Sequence, residues 1–178
     1  MTKKPFPLDK VYTLIEPGPI LMVTTRFGNR PNIMTMSWHT MIDFLPPLVG
    51  LVIGDQSHTF RALKATGECV INIPTAPLIK KAVRCGNVSG RSVDKFKAFR
   101  LTPVKAAEVK APMIGECCAS LECRTVDQGM AERYNLFILE VVKAWADSRI
   151  KNPRMIHHRG KDLFAISGKT LRIASGMK

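Results

Sequence analysis

Two polar stretches organise this sequence: Asn-Ile-Met-Thr-Met-Ser-Trp-His, residues Asn32 to His39, and Asp-Gln-Ser-His-Thr, residues Asp55 to Thr59. The first predicts a strand that continues to Ile42. Its two faces carry Asn32, Met34, Met36 and Trp38 on one side and Thr35, Ser37 and His39 on the other. The apolar run Leu48 to Ile53 predicts a strand buried on both faces. Ser57 comes directly before a helical pattern, where serine favours the N-cap position.

The remaining segments predict mostly antiparallel strands. A turn at Phe27 to Pro31 joins a strand at Ile20 to Thr25 to the strand that begins at Asn32, because Gly28 and Asn29 tolerate positive φ. The other predicted elements are strands at Glu68 to Ile73, Glu116 to Thr125 and Tyr134 to Ala146, helices after Ser57 (ending at Gly67) and after Thr75 as cap, and a hairpin over Phe164 to Ile173 that turns at Ser167 to Lys169. This order indicates a mainly β chain with short helices, either a barrel or a sandwich.

Some predictions concern individual side chains. From Glu116 to Thr125, apolar Cys117, Ala119, Leu121 and Cys123 alternate with polar Glu116, Ser120, Glu122 and Arg124. This alternation predicts that the polar set faces solvent. Trp145 is predicted to lie in the core. A polar loop is predicted from Cys85 to Arg91, and Asp94 is predicted to cap a short amphipathic segment that ends at Phe99.

The composition is that of an ordinary globular chain, with 178 residues of which 46% are apolar and 23% charged. We expect one domain over residues 1–178, with an irregular arm at residues 1–17. No run is long enough to span a bilayer, and no apolar core follows the N-terminal lysines, so a cytoplasmic location is expected. The five cysteines form no C-x-x-C pair, which predicts free structural thiols and no metal site.

The formal net charge of +13 leaves two interpretations open. A basic module that binds nucleic acid is one of them. The other is a cationic surface that attracts phosphorylated small molecules or acidic proteins. The lysines and arginines are scattered, without a long basic run or interleaved aromatic residues, and this pattern favours the second interpretation.

The two polar stretches have the chemistry of a binding site. Buried hydroxyl groups without partners cost about 1–3 kcal/mol each, so the face with Thr35 and Ser37 meets either solvent or a polar ligand. The helix that begins after Ser57 offers free N–H groups and a dipole that favour an anion, and Arg61 with Arg84 or Arg91 could complete the charge. Together with the neighbouring tryptophan, these groups suit a flat aromatic ligand with a phosphate tail.

The sequence resembles the flavin reductase-like family of FMN-binding split barrels, and most of all its flavoredoxin branch. The matching motifs occur in the family's order over nearly the whole chain: Gly18 to Thr25, Asn32 to Trp38, Ser57 to Phe60, Glu68 to Pro74, Ser89 to Phe96, and Phe164 to Lys178. The resemblance implies a six-stranded antiparallel Greek-key split β-barrel and a homodimer with FMN at the subunit interface. It also implies either an NAD(P)H-dependent flavin reductase or a small FMN electron carrier.

By the same resemblance, specific residues would hold the cofactor. The ring would be lined by Asn32, Thr35, Ser37 and Trp38, and the phosphate would be held by Ser57 and Thr59, with Ser89, Arg91 and Lys95 near the phosphate or in the loop over the site. His58 lies within the motif without an assigned role. The segment from Ser89 to Phe96 is equally well explained as a solvated loop leading into a helix. Met34 and Met36 are expected in the core, and His157 and His158 at the surface or dimer interface.

No catalytic side chain is predicted, since FMN would carry the chemistry. The leading hypothesis is an FMN-dependent reductase that passes electrons from NAD(P)H to free flavin or a protein acceptor. The alternative is a non-enzymatic FMN electron carrier, for which the positive charge suits an acidic partner protein. A nucleic-acid-binding module is the third.

Overall fold

The structure is a computed structural model that describes residues 18–174. The predicted arm at residues 1–17 lies outside the described residues, as do residues 175–178. The strands are β1 (Leu21–Phe27), β2 (Arg30–Met36), β3 (His39–Phe44), β4 (Pro47–Val52), β5 (Glu68–Ile73), β6 (Pro103–Val104), β7 (Met113–Ile114), β8 (Ala119–Asp127), β9 (Leu136–Ala146), β10 (Ile156–His158) and β11 (Phe164–Ile166). The helices are α1 (His58–Thr66), α2 (Ile79–Gly86), α3 (Lys95–Phe99) and α4 (Ala131–Tyr134), with a 3₁₀ turn at Ala76–Leu78.

The main sheet is antiparallel and has the order β2-β1-β5-β8-β9-β4-β3. β2 and β3 are its two edges, although only Ser37 and Trp38 separate them in the chain. Three residue steps from Met36 to His39 span at most about 11 Å, so the sheet curls until its edges meet at this link. With β2 and β3 counted as one bent strand, the sheet is the predicted six-stranded split barrel. β5, β8 and β9 are sequential neighbours and β4 lies beside β9, which is a Greek key.

The prediction of one continuous strand from Asn32 to Ile42 is therefore wrong at Ser37 and Trp38. There the His39 N–H donates to the Ser37 carbonyl at 3.1 Å, which turns the chain, and the Val52 N–H donates to the Trp38 carbonyl at 3.0 Å. The preceding hairpin is confirmed, with Gly28 at φ +59 in the turn between β1 and β2.

The ends of α1 are confirmed as predicted. The Ser57 hydroxyl accepts from the Phe60 N–H at 3.0 Å, and Gly67 adopts φ +66 at the end of the helix. Thr75 differs, because it precedes the 3₁₀ turn and its side chain makes no capping bond. The predicted loop from Cys85 to Arg91 begins too early, since α2 extends through Gly86. Asp94 does cap α3, accepting from the Lys97 N–H at 3.2 Å.

The alternation predicted for β8 is wrong for Ser120 and Glu122, which are buried. Segment 105–112 covers this face of the sheet, and its backbone donates to the Glu122 carboxylate. A register shift after Glu122 further breaks the period of two. Trp145 is not a core residue, because 42% of it is exposed, and its indole N–H donates to Glu122 at 2.7 Å.

The predicted hairpin over Phe164 to Ile173 is also wrong. β11 pairs with the preceding strand β10, and residues 167–174 contain no regular secondary structure.

Two large apolar clusters lie in and beside the barrel. One fills the barrel, and the second lies between the barrel and a layer made by α2, α3, β10 and β11, with Ile33 of β2 and Ile156 of β10 in it.

Candidate functional site

A cavity of about 460 Å³ lies where β2, the start of α1, the end of α2 and the loop before α3 meet. Seven of the ten predicted site residues line it: Asn32, Thr35, Ser57, His58, Thr59, Ser89 and Lys95. The structure thus brings together the two polar stretches and the segment from Ser89 to Lys95, although Asn32 and Lys95 are 63 positions apart in the chain. Thr35, Ser37 and Trp38 line a second cavity that shares Met34, Thr35 and Gly86 with the first.

Asn32 and Thr59 connect β2 to the first turn of α1. The Asn32 Nδ2 donates to the Thr59 Oγ1 at 2.9 Å, and both residues are buried. The Asn32 Oδ1 is also buried and has no hydrogen-bond partner among residues 18–174. A buried carbonyl oxygen without a hydrogen bond lowers the stability of the folded state. This oxygen can therefore accept a hydrogen bond from a ligand.

The N-terminus of α1 supplies donors to the same cavity. The Ser57 oxygen accepts from Phe60, which leaves its hydroxyl proton available to a ligand. The first N–H groups of the helix have no intrahelical acceptors, and the helix dipole adds partial positive charge there. This end of the cavity is built to receive an anion.

The charges around His58 have one sign. Partial burial lowers the pKa of His58, and the positive charges of Arg91, Lys95, Arg61 and Arg30 lower it further. The imidazole is therefore neutral at pH 7. These four cations make the surroundings of His58 positive. Arg84, which was one candidate for completing the charge, instead lies over the Phe99 ring at 5.0 Å.

Lys95 is a buried ammonium, with 5% exposure. Its Nζ donates to the Ile33 carbonyl at 2.6 Å and to the Cys85 carbonyl at 2.7 Å, and burial lowers its pKa. An ammonium has three N–H groups, so one remains for a ligand. No carboxylate among residues 18–174 lies within ion-pair distance of Lys95, so a bound anion would be its counter-ion.

The loop before α3 closes over this end of the site. Its Gly90 backbone lies so close to Asn32 that a β-carbon there would collide with the Asn32 amide. The Ser89 hydroxyl accepts from the Arg91 N–H at 3.2 Å, and the Arg91 guanidinium donates to the Gln56 carbonyl at 3.1 Å. Arg91 thus ties the loop to the start of α1, but it lines a neighbouring cavity and not this one.

The second cavity, of about 310 Å³, is mainly apolar. Trp38 lies there, half exposed, with Met36, Val52 and Phe164 among its neighbours in the lining. The Thr35 hydroxyl donates to the Ala82 carbonyl at 2.6 Å, so towards a ligand this oxygen can act only as an acceptor. The two cavities form one groove with a cationic end and an apolar end.

Several lining residues were not predicted. Met34, expected in the core, packs against the barrel cluster and also lines both cavities. His158, expected at the surface or dimer interface, lines the apolar cavity, while its Nε2 lies 2.9 Å from the Lys161 carbonyl oxygen. Gly86 and Val83, three residues apart on α2, face the groove. Their spacing of three residues, which places them on one helix face, was the sequence signal that could have identified them. Ala82 of the same helix accepts a hydrogen bond from the Thr35 hydroxyl.

No helix within residues 18–174 is long and apolar enough to cross a membrane. No group of three His, Cys, Asp or Glu side chains in the same range is placed to hold a metal ion. The five cysteines are free thiols, and four of them are buried.

Residues 15–163 match the model of the flavin reductase like domain. The chain belongs to the flavin reductase-like family, and the resemblance found in the sequence is confirmed. An uncharacterised protein of Archaeoglobus fulgidus is 37% identical over 113 residues, which are 64% of this chain and 64% of that relative. The uncharacterised protein YddH of Escherichia coli K12 is 30% identical over 97% of both chains.

Two solved structures extend the comparison to the fold. Flavoredoxin of Desulfovibrio vulgaris (Miyazaki F) superposes with a TM-score of 0.86 at 26% identity, covering 99% of this chain and 98% of that one. The FMN-binding domain of a flavin reductases-like enzyme from Shewanella baltica OS155 has a TM-score of 0.83 at 26% identity, covering 95% and 96%. The mainly β split-barrel fold is confirmed by both.

Proposed function

We propose that this protein binds FMN in the groove and acts as an oxidoreductase that moves electrons from NAD(P)H to free flavin or a protein acceptor. The observation that carries the proposal is the buried Lys95 ammonium without a carboxylate partner, next to the α1 N-terminus and the unpartnered Asn32 oxygen. A phosphate bound there would pair with the ammonium. The apolar end with Trp38 has the character that a flavin ring needs.

Each residue has a distinct task in this proposal. Ser57, the first N–H groups of α1 and Lys95 would hold the phosphate, and Thr59 would fix Asn32 in place through their hydrogen bond. Asn32 and Thr35 would accept hydrogen bonds from the ligand. The loop at Ser89 would exclude water from the phosphate end. When bound, FMN supplies the redox chemistry, taking up the electrons of a nicotinamide hydride and releasing them to an acceptor.

A homodimer is part of the proposal. β3 is an edge strand on which Met41, Ile42 and Phe44 are exposed, and Leu45, which follows it, is 89% exposed. Trp38, at the start of this apolar surface, also lines the groove. Exposed apolar edge strands favour association, so a second subunit packed on β3 would lie beside the apolar end of the site.

Variants at Ser57 test the phosphate end. Ser57→Asp keeps an N-cap oxygen but places a negative charge where the phosphate would bind, so FMN affinity should fall about tenfold or more while the melting temperature holds. Thr66→Ala is the control, since it removes a hydroxyl from the other end of α1. Fluorescence titration with FMN measures the affinities. Wild-type protein that does not bind FMN, or equal affinities in all variants, would refute the proposal.

The net charge favours a second candidate, a non-enzymatic FMN electron carrier for an acidic protein. Anaerobic mixing of the FMN-loaded protein with NADH or NADPH distinguishes the two. Rapid bleaching of the flavin band supports the reductase. Negligible bleaching, together with salt-sensitive reduction by an acidic ferredoxin, supports the carrier.

A further inference from the structure

The outer face of α2 carries basic side chains. Lys80 and Arg84 are exposed and lie four residues apart, which places them side by side on the helix surface. Lys81 lies next to them and is half-buried. Gly86, which lines the groove, is two residues from Arg84 and therefore almost opposite to it at 3.6 residues per turn. The helix thus stands between the groove and this basic surface.

Contacts between α2 and the end of α3 hold part of this surface in place. The Lys81 Nζ donates to the Arg100 carbonyl at 2.7 Å, and the Arg84 guanidinium lies over the Phe99 ring at 5.0 Å. Arg100, which directly follows α3, is exposed. We call Lys80, Lys81, Arg84 and Arg100 together the α2–α3 basic face.

The positive charge of this face is not neutralised within the chain. None of its four cations forms an ion pair with any residue in the range 18–174. Two carboxylates belong to neighbouring segments, and both have other partners. Asp94 caps α3 and lies 3.9 Å from the Lys97 Nζ, and Glu116 accepts from the Thr102 N–H and hydroxyl. The face therefore keeps an excess of positive charge.

The surroundings of this face favour an acidic protein over a nucleic acid as its partner. Single-stranded nucleic acids stack their bases on exposed aromatic side chains. Phe96 and Phe99 are the aromatic residues of α3, and both are buried, while α2 contains none. The face is also only one helix, about 10 Å in diameter, away from the proposed flavin site. A redox protein gains from that position, because its own redox centre would come close to the flavin.

We propose that the α2–α3 basic face docks an acidic iron–sulfur protein, which exchanges electrons with bound FMN across α2. Opposite charges on the two surfaces would steer the encounter. Full reduction of one FMN would take two electrons, one from each of two reduced partner molecules that dock in turn, and two protons from solvent. The inference rests on the proposed function for the electron exchange, but not for the docking.

The test compares two double variants of the full chain. Lys80→Glu, Arg84→Glu reverses two charges of the α2–α3 basic face. Lys105→Glu, Lys110→Glu is the matched control, since it makes the same change in net charge at two exposed lysines that line a different cavity. The single variants Lys80→Glu and Lys105→Glu serve as a second pair if the loss of the Arg84–Phe99 contact lowers stability.

The probe is an acidic ferredoxin with a plant-type [2Fe–2S] cluster. Isothermal titration of the cofactor-free protein with oxidised ferredoxin, at about 10 mM salt, measures docking without relying on activity. Stopped-flow mixing of the FMN-loaded protein with reduced ferredoxin measures electron transfer. The variant on the basic face should lose about tenfold or more in affinity and in the second-order rate, whereas the control should keep most of both. High salt should remove the difference between them.

Equal losses in the two double variants would overturn the inference, because net charge alone would then explain binding. Wild-type protein that does not bind ferredoxin at low salt would overturn it as well. Binding of an oligonucleotide that only the basic-face variant loses, without any binding of ferredoxin, would assign the face to nucleic acid instead. Wild-type protein that docks ferredoxin but binds no FMN would refute the proposed function and leave the docking face supported.

Discussion

Glu122 is a fully buried carboxylate that anchors segment 105–112 to the sheet. It accepts from the N–H groups of Ala107, Glu108 and Val109 and from the Trp145 indole. Burial alone would raise the pKa of Glu122, but the four hydrogen bonds outweigh it and hold the pKa below its usual value. A carboxylate with this many donors is a fixed structural group, not a proton donor.

Glu122→Gln should destabilise the protein by about 2–3 kcal/mol at pH 7, because an amide cannot satisfy all four donors. The folded pKa is depressed, so this stabilisation is complete above the unfolded pKa of about 4.3 and is lost as pH falls through the lower folded value. Urea unfolding of both proteins from pH 7 to pH 3 should show the difference shrinking with acid. A difference independent of pH would contradict the ionised state of Glu122.

At the level of elements, the groove depends on how closely the loop before α3 approaches β2. Gly90 allows that approach because it has no side chain to collide with Asn32. Its backbone angles lie outside the left-handed region, so the lack of space, and not the backbone conformation, is what requires a glycine here. Gly54, in the loop before α1, has open space where a β-carbon would be.

Gly90→Ala should therefore displace the loop or the Asn32 side chain, with a stability loss of about 1–3 kcal/mol and weaker FMN binding. Gly54→Ala is the matched control and should change neither quantity. Thermal unfolding and FMN titration measure both. Wild-type values for Gly90→Ala would show that the loop does not close on the ligand.

The sequence predicts elements with local causes better than those with tertiary causes. Ser57 and Gly67 fix the ends of α1 through their own caps, so both were predictable. The burial of Glu122 depends on a covering segment about 15 residues away, which an alternating pattern cannot reveal. The cavity that Arg91 lines depends on the path of the loop before α3, which its motif alone does not reveal.

For the whole molecule, the strand order explains why residues far apart in the chain form one site. β2 and β3 are the two edges of the sheet, and α1 and the loop before α3 both pack at the β2 edge. Trp38, directly before β3, lines the apolar cavity, and the exposed apolar residues of β3 and Leu45 follow it in the chain. Assembly and binding would then share one surface.

The double variant Phe44→Glu, Leu45→Glu should convert a dimer into monomers, because both side chains are almost fully exposed within one chain and buried charges oppose association. Val126→Lys, an exposed apolar position on β8, should leave the dimer intact. Sedimentation analysis gives the mass of each. A wild-type monomer, or a dimeric double variant, would contradict the proposed interface on β3.

The link at Ser37 and Trp38 has a consequence for local unfolding. β2 and β3 each pair with a neighbouring strand on one side only, whereas β8, in the middle, pairs on both. The barrel therefore opens most easily between these two edges. A ligand that contacts Thr35 on β2 and Trp38 beyond it would hold the edges together, and its binding free energy would add to the stability of the folded state. The cofactor would then stabilise the weakest part of the barrel in addition to supplying the redox chemistry.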